Sequence, residues 1–527
     1  MNRKPSPYVV FLCSLPALIL SAVCLLPYLD KAFLVDDPVF LLQAQQILKE
    51  PRHPTALNIC WVLDNQCEPL SSNMPGNFLM SYCLAPVVNR PNTEWLVHLM
   101  QIIMLWCGII ATVSLAFGFG FDSFAARGAG LILASTPPVL AMASTAMPEI
   151  LAMALSVIGL ERLLAWKEND KVINCIISGL ALGLAPIARV HLILLWPIAA
   201  VLLRDDGRIF DVQSWIRLTK RRWLPLVGAV IVCFTVVALT HEADSGLKPT
   251  HMFLRPENAE HNLLSYLSDW IVAMPLGVAW FVLRNHNVRL WLSPVVIAFL
   301  FLRPTGLLLW LSSGLGAVLI MDILLWSFQI RDHRRTACFL WLMLPLVALP
   351  YIHLPVKYLV PCAPAAALLI ADILPAFRWR KSALYGIVAI GAVFGSMVLH
   401  ADYRFAEMGR QAAERLVAPQ VASGHRVWFA SQWGFYWYAL KAGGQVLRAN
   451  DLPERGDYLV RGEMEGYAGT LKRLPPAVQV ETFSVGGPGG RTMSPKNNAG
   501  LYSNTSGDLM WAWGHGEWNH YELWQFQ

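Results

Sequence analysis

Residues 224–240 have the sequence LPLVGAVIVCFTVVALT, which contains no charged residue, and a second uncharged run covers residues 304–321. A helix needs about 20 apolar residues to cross a hydrocarbon core about 30 Å thick. The whole chain of 527 residues is 56% hydrophobic and 14% charged, whereas a soluble protein has about 25% charged residues. The sequence therefore predicts a polytopic α-helical membrane protein.

Apolar runs of this kind recur along the first three quarters of the chain and are separated by short polar segments. We predict about 13 transmembrane helices from them. Their approximate bounds are 8–28, 94–118, 125–143, 147–165, 172–188, 190–203, 223–241, 268–284, 290–302, 304–328, 337–354, 356–375 and 383–400.

The organisation that follows has two parts. Residues 1–400 form a transmembrane domain, whose first outer loop, at about 29–93, is too polar and proline-rich to span and contains surface helices. Past residue 400, glycine, proline and charged residues interrupt the apolar runs. We expect residues 401–527 to form a small extracytoplasmic α/β domain, with a strand at 426–431, an aromatic helix at 434–442 and a strand at 458–460.

The net charge of +6 comes from Lys and Arg clusters between apolar runs rather than from one basic surface, which argues against a nucleic-acid partner. These clusters predict a cytoplasmic N-terminus and an outer C-terminal domain, because Lys and Arg concentrate on the cytoplasmic side. Cys60 and Cys67 lie close together in the first outer loop. A disulfide and two free thiols are both compatible with that position.

Two acidic features lie on the predicted outer side. Asp36 and Asp37 belong to VDDPVF, residues 35–40, at the outer end of the first span. Such carboxylates can accept a proton from an acceptor hydroxyl, hold a divalent cation or cap the following helix. Glu149 follows STAMP, residues 144–148, and an ionisable group at membrane depth is a functional candidate. The alternative is an interfacial glutamate that faces water.

Basic residues also lie on the outer side, against the general charge trend. Arg189 and His191 occupy an outer turn between two spans, and Arg303 and Lys357 follow further along the chain. Converging cations there would suit a lipid phosphate, whereas isolated ones would extend to the outer headgroups. The sequence has neither His, Glu and Cys at zinc-ligand spacing nor a Gly-x-Ser-x-Gly nucleophile turn.

Four of these features, in this order, resemble motifs of the GT-C superfamily of membrane glycosyltransferases. They are DDPVF at 36–40, Glu149 after its small residues, GLALGLAPIAR at 179–189 and KYLVP at 357–361. The sequence looks most similar to the protein O-mannosyltransferases and the bacterial lipid A aminoarabinose transferases. The resemblance covers residues 8 to about 375.

The resemblance implies inverting transfer of a sugar from a polyprenyl-phosphate donor to a lipid, glycan or protein acceptor at the outer face of a bacterial inner membrane. The first acid of the family motif corresponds to Asp36, which is then the essential catalytic carboxylate, and the resemblance makes Asp37 and Glu149 further catalytic residues. The donor phosphate is assigned to cationic and aromatic side chains, namely Arg189, Lys357, Arg303, His191 and Tyr358.

One departure and two rival functions accompany this interpretation. Relatives often have a basic residue before paired prolines late in the first loop, whereas residues 73–76 here are NMPG. Relatives also differ in metal dependence, so the sequence is compatible both with a divalent cation held by Asp36 and Glu149 and with none. One rival is a flippase for lipid-linked sugars, for which we expect inverted repeats and broken helices in corresponding halves of the chain, and the sequence shows neither. The other is a glycan-binding assembly protein without enzymatic activity.

Overall fold

The computed structural model describes residues 5–60, 67–73, 77–204, 220–240, 254–284, 306–329, 332–448, 450–462 and 474–527. Within these ranges the fold is mainly helical, with β-strands concentrated after residue 426. The α-helices are Pro7–Leu25, Asp37–Lys49, Leu70–Asn73, Leu79–Leu84, Thr93–Gly118, Ser123–Ser135, Pro137–Met142, Glu149–Asn169, Val172–Ala188, Leu195–Leu203, Leu224–Thr240, Ala259–Val272, Leu276–Leu283, Leu307–Gln329, His333–Leu342, Ala363–Ile373, Arg380–Ala412, Ala418–Ala422 and Trp433–Lys441.

Among the described residues, 6 helical segments are long and apolar enough to cross a membrane. They are Pro7–Tyr28, Thr93–Gly118, Arg221–Thr240, Leu307–Phe328, Val356–Ala376 and Arg380–Ala422. A seventh span results if Pro256–Val272 and Leu276–Leu283, which meet at a bend of 59°, form one broken helix. The chain is therefore an integral membrane protein with several apolar helices.

The predicted count of about 13 spans is not confirmed, and proline accounts for part of the difference. The predicted span 125–143 divides at Pro137 into the helices Ser123–Ser135 and Pro137–Met142, since proline interrupts helical hydrogen bonding. In the predicted span 337–354, the helix ends at Leu342 and a 3₁₀ turn containing Pro345 follows. The predicted span 290–302 lies outside the described residues.

The C-terminal region contains a mixed five-stranded sheet. Its strand order is Gln445–Val446, Val427–Ala430, Tyr458–Gly462, Glu517–Phe526 and Ala477–Gly486. The first three strands are parallel, and Glu517–Phe526 is antiparallel to both of its neighbours. Shorter strands are Asn58–Ile59, Glu68–Pro69, Gly489–Arg491, Met493–Ser494, Ala499–Gly500 and Ala512–Gly514.

The predicted tail elements correspond to Val427–Ala430, Trp433–Lys441 and Tyr458–Gly462. Their identification succeeded because apolar runs and glycine or proline boundaries occur together there. The helix Arg380–Ala412 continues through residue 400, so the last predicted span and the C-terminal region share one continuous helix.

A buried polar network joins that long helix to the first loop. Lys31 and Asp402 form an ion pair whose side chains are both fully buried. Lys31 Nζ also donates to the Ser144 carbonyl oxygen at 2.9 Å. Asp402 accepts from Thr492 Oγ1 at 3.0 Å and from Tyr502 OH at 2.7 Å. The C-terminal region is thereby attached to the two segments that carry Asp36 and Glu149.

Candidate active site

Asp36 lies between the first span and the surface helix Asp37–Lys49. Its position is that of the N-cap residue, but its side chain makes no capping hydrogen bond. Instead, Asp36 Oδ2 accepts from Lys357 Nζ at 2.7 Å, and 25% of the Asp36 side chain is exposed compared with 2% for Lys357. The capping alternative for Asp36 is therefore not the observed arrangement.

The backbone that presents Asp36 is unusual. Val35 has φ of +47°, a left-handed conformation that a β-branched residue rarely adopts. Such a conformation costs of order 1–3 kcal/mol and persists only where surrounding contacts enforce it. Here Leu34 N donates to Asp37 Oδ2 at 2.9 Å, closing the loop across Val35. The strained residue turns the chain immediately before the Asp36 carboxylate.

Lys357 belongs to the 3₁₀ segment Val356–Cys362, which follows Pro355. Its ammonium group is the nearest cation to Asp36 and determines the charge state of that carboxyl. Burial is the largest single influence and raises the pKa of Asp36, but the charge and hydrogen bond of Lys357, together with His353 and Arg189, outweigh it, so the pKa lies below its ordinary value. Asp36 is consequently an anion at neutral pH.

A second ion pair joins Glu149 and Arg189. Glu149 is the first residue of the helix Glu149–Asn169, and Arg189 follows the last residue of Val172–Ala188. An anion at a helix N-terminus and a cation at a helix C-terminus are both favoured by the helix dipole. Neither side chain extends to solvent, because Glu149 is 0% exposed and Arg189 is 9% exposed.

Tyr358 brings the two pairs into one pocket. The centre of its ring lies 5.3 Å from Arg189 Cζ and 5.9 Å from Lys357 Nζ. The rings of His191 and His353 lie 6.4 Å and 6.3 Å away, measured between ring centres. Burial, reinforced by the Lys357 ammonium, lowers the pKa of His353 to about 4, so this histidine is neutral at pH 7.

Three polar atoms in this pocket are buried without a hydrogen-bond partner among the described residues: Glu149 Oε2, Arg189 Nε and His191 Nε2. Buried polar atoms in folded proteins are nearly always hydrogen-bonded to protein or ordered water. Their concentration beside two ion pairs is a property expected of a ligand site.

Asp37 has a different environment from its neighbour. It is fully buried, and its two oxygens accept from the backbone N–H groups of Leu34 and Ala146 at 2.9 Å and 2.7 Å. Burial raises the pKa of Asp37 to about 7, although Lys31 and these two N–H groups lower it. Asp37 thus joins the first loop to the segment that precedes Glu149.

Sequence reasoning did not identify the residues that the C-terminal region adds to the pocket. Tyr502 packs with the centre of its ring 5.7 Å from Lys357 Nζ. The next residue, Ser503, lies with Oγ 3.1 Å from His353 Nδ1. Asn504 Oδ1 accepts from Leu354 N at 3.1 Å. No local motif marks these residues, since their role depends on how the tail packs against residues 353–358.

The structure thus brings together Asp36, Lys357, Glu149, Arg189 and Tyr358, with His191 at the pocket's edge. Arg189 and Lys357 are buried in ion pairs, so extension to the outer headgroups does not describe either. Arg303 lies outside the described residues, as do the last three residues of the NMPG stretch at 73–76.

In the described ranges, no group of three or more His, Cys, Asp and Glu side chains is arranged to hold a metal ion. Asp36 and Glu149, the two candidates from the sequence, are each neutralised by a basic side chain instead.

The fold and the pocket together define a class: a helical integral membrane protein with two ion pairs around a partly buried tyrosine side chain. No family model matches the chain, and no curated protein matches it.

Structural similarity is found to solved membrane proteins. ArnT from Cupriavidus metallidurans bound to undecaprenyl phosphate has 13% identity and a TM-score of 0.48, covering 90% of this chain and 97% of that one. The apo oligosaccharyltransferase from Archaeoglobus fulgidus has 14% identity and a TM-score of 0.45, covering 84% and 64% of the two chains.

A third structure is AglB from Archaeoglobus fulgidus with an inhibitory peptide and a dolichol-phosphate, at 10% identity and a TM-score of 0.46, covering 85% of this chain and 69% of that one. These structural neighbours are GT-C glycosyltransferases, the superfamily that the sequence resembles. With TM-scores below 0.5, the likenesses carry no inference about the activity of this chain.

Proposed function

We propose that this protein transfers a sugar from a polyprenyl-phosphate donor to an acceptor hydroxyl or amine, with inversion at the anomeric carbon. The observation that carries the proposal is the pairing of a partly exposed carboxylate, Asp36, with a buried cation, Lys357. Such a pocket offers a base for the acceptor on one side and positive charge for a phosphate on the other.

The donor phosphate would bind between Lys357 and Arg189. Lysine has three N–H donors, and Lys357 gives one of them to Asp36. Arg189 keeps Nε unpaired among the described residues, and a guanidinium matches the geometry of phosphate oxygens. His191 and Tyr358 border the same space. The membrane-facing origin of the donor agrees with a pocket built at the ends of apolar helices.

The reaction would be a single displacement. The acceptor oxygen or nitrogen attacks the anomeric carbon while the bond from that carbon to the phosphate oxygen breaks. The electron pair remains on the polyprenyl phosphate, whose charge Lys357 and Arg189 stabilise. The acceptor proton passes to Asp36, which is ionised because its pKa is lowered. A phosphate is a good leaving group, so no strong general acid is required.

Asp37 and Glu149 would position the reacting groups without taking part in the displacement themselves. Asp37 holds the first loop through Leu34 and Ala146, and Glu149 orients Arg189. We further propose transfer without a divalent cation, because the two pairs already balance each carboxylate with a basic side chain. Transfer that survives excess EDTA would agree with this, and transfer restored only by added Mg²⁺ or Mn²⁺ would contradict it.

We also propose that the reaction takes place at the outer face of a bacterial inner membrane. Cys60 and Cys67, in the same loop as Asp36, form a disulfide. Disulfides persist in oxidising compartments such as the periplasm, which supports an outer location for this loop and for the pocket beside it.

The test is a transfer assay in membrane vesicles with radiolabelled polyprenyl-phosphate sugars. Asp36→Asn keeps the size of the side chain but removes its charge, and we expect transfer to fall by at least about 100-fold, within the range for loss of a general base. Glu481→Gln is the matched control, since Glu481 pairs with Arg415 at the surface rather than with a pocket residue. Full transfer by Asp36→Asn would refute the assignment.

The same assay separates the rival functions. Label that moves across the membrane without joining an acceptor would indicate a flippase. Label that neither moves nor transfers, with retained glycan binding, would indicate an assembly protein. Label transferred without any added nucleotide sugar supports the enzyme.

A further inference from the structure

We infer that Tyr502, which the C-terminal region contributes, is a positioning residue that holds Lys357 in place for the donor phosphate. This inference rests on the proposed function. It assigns a role in the reaction centre to a residue that is distant in sequence from the four motifs at the site.

The Lys357 ammonium is enclosed on three sides. Asp36 Oδ2 lies 2.7 Å from Nζ. The ring centres of Tyr358 and Tyr502 lie 5.9 Å and 5.7 Å from the same atom. A cation within about 6 Å of a ring centre is attracted to the face of the ring, and more strongly when both are removed from water. Tyr502 is 1% exposed and Lys357 is 2% exposed, so this condition is met.

The hydroxyl group fixes the orientation of the Tyr502 ring. It donates to Asp402 Oδ2 at 2.7 Å, and Asp402 is the buried partner of Lys31. Thr492 Oγ1 donates to the other oxygen of Asp402 at 3.0 Å. Tyr502 therefore contacts the Lys31–Asp402 ion pair through its hydroxyl and the Asp36–Lys357 ion pair through its ring.

The residues after Tyr502 keep its segment against the turn that carries Lys357. Ser503 contacts His353. Asn504 Oδ1 accepts from Leu354 N, and its Nδ2 donates to Asn262 Oδ1 and to Ser265 Oγ at 2.9 Å and 3.0 Å. This arrangement fixes residues 502–504 relative to residues 353–357 through buried and partly buried hydrogen bonds.

The consequence concerns the two N–H groups of Lys357 that Asp36 does not take. Aromatic rings on two sides restrict the rotamers of the lysine, so these donors keep one direction. Without the Tyr502 ring, the ammonium can turn further toward Asp36, and the donor phosphate then binds to a less ordered cation.

Two substitutions separate the ring from the hydroxyl. Tyr502→Phe removes only the hydrogen bond to Asp402, whereas Tyr502→Met keeps a similar volume without an aromatic face. The measured quantity is the Kd of the purified full-length protein for a polyprenyl monophosphate without sugar, with thermal unfolding recorded for each variant. We expect the Phe variant to bind within about twofold of wild type, and the Met variant to bind about tenfold more weakly.

Thr492→Val is the matched control, because it also removes a hydrogen bond to Asp402 but does not contact Lys357; we expect unchanged affinity. Wild-type affinity in a folded Met variant, or equal weakening in the Phe and Met variants, would overturn the inference. If Tyr502→Met does not fold, Tyr502→Leu replaces it. Weakened binding by the Phe variant alone would overturn the role of the ring in any case.

Lys357→Gln distinguishes this inference from the proposed function. If wild type binds the lipid phosphate and Lys357→Gln weakens binding while Tyr502→Met does not, only the role of Tyr502 fails. If wild type does not bind the lipid phosphate, or Lys357→Gln leaves its affinity unchanged, the proposed donor site itself fails.

Discussion

Asp36 and Asp37 are adjacent in the chain, yet their carboxylates face different surroundings. The Asp36 carboxylate is partly exposed and pairs with Lys357, whereas the Asp37 carboxylate is buried against two backbone N–H groups. The positive φ of Val35 contributes to the different orientations of the two side chains. One member of the pair can therefore react while the other maintains the loop.

The pairing of Asp36 with Lys357 predicts a change in pH dependence. In wild type the pKa of Asp36 is below its ordinary value. Asp36 therefore stays ionised as pH falls from 8 to about 5, and its titration does not change the transfer rate in that range. In Lys357→Gln the burial remains and the cation is lost, so the pKa rises and the loss of transfer moves to higher pH. Relative transfer rates in vesicles at stepped pH measure this shift.

Lys381→Gln, at an exposed position, is the control for that measurement and should retain the wild-type profile. An acidic limb at the same pH in wild type and Lys357→Gln would contradict the electrostatic coupling of Lys357 to Asp36.

Asp37 predicts a stability effect instead. In Asp37→Asn the new amide group faces one of the two backbone N–H groups, which then lacks an acceptor. An unsatisfied buried donor costs about 1–3 kcal/mol, so we expect a lower thermal unfolding midpoint with transfer per folded molecule largely retained. Thermal unfolding in detergent, combined with the vesicle assay, checks this. An unchanged midpoint with abolished transfer would instead make Asp37 a reacting group.

Single residues of the site could be found from the sequence where local chemistry marks them. Asp36, Glu149, Arg189 and Lys357 are ionisable residues at the ends of apolar runs, and such residues are rare and costly there. Their pairing could not be found, because neighbours in sequence do not specify which acid meets which base. Tyr502 is one of many aromatic residues in a mixed tail and had no distinguishing signal.

At the scale of helices, close packing depends on glycine. Gly179 and Gly183 have the spacing of a small-residue contact face, and they lie on Val172–Ala188 against Leu224–Thr240. A Cβ at Gly183 would lie 2.7 Å from the Ala229 carbonyl oxygen and 2.8 Å from Val232 Cβ. The helix that ends beside Arg189 is thereby held close to its neighbour.

Gly183→Ala should therefore separate these two helices and lower the thermal unfolding midpoint. Gly228→Ala is a matched control in the same contact, because a Cβ there would lie 3.7 Å from Gly179 Cα, an ordinary distance. Differential thermal unfolding of the two variants measures the contrast. Equal midpoints would contradict the close approach of the helices.

Helices were predicted well where apolar runs were long and free of proline. Thr93–Gly118 and Leu224–Thr240 correspond to predicted spans at 94–118 and 223–241. The prediction of about 13 spans exceeded the 6 or 7 segments found in the described ranges, partly because hydropathy alone does not separate a complete span from short helices broken at proline. Pro137 and Pro345 lie at two such positions.

At the scale of the whole molecule, the C-terminal region and the first loop are joined through Lys31 and Asp402. Breaking a buried ion pair by removing one charge costs about 3–5 kcal/mol, so Asp402→Asn should lower the free energy of unfolding by about that amount. Glu481→Gln, which breaks a surface pair with Arg415, should cost about 0–1 kcal/mol. Equilibrium unfolding of both variants in detergent would show whether the buried pair dominates.

A larger loss of unfolding free energy for Asp402→Asn than for Glu481→Gln would agree with a C-terminal region that is structurally integrated with the site. Equal effects of the two variants would mean that this connection contributes little. The long-range contacts involved lie hundreds of residues apart in sequence, which explains why the sequence predicted two parts but not their shared pocket.

The central claim is that Lys357 and Arg189 bind the phosphate of a polyprenyl donor beside Asp36. An experimental structure of the full-length protein with a polyprenyl phosphate tests it most directly. We expect phosphate oxygens at charge-assisted hydrogen-bond distances of about 2.7–2.9 Å from nitrogens of both Lys357 and Arg189, with Asp36 facing the sugar position. A phosphate bound elsewhere, with the two ion pairs undisturbed and the pocket unoccupied, would contradict the account.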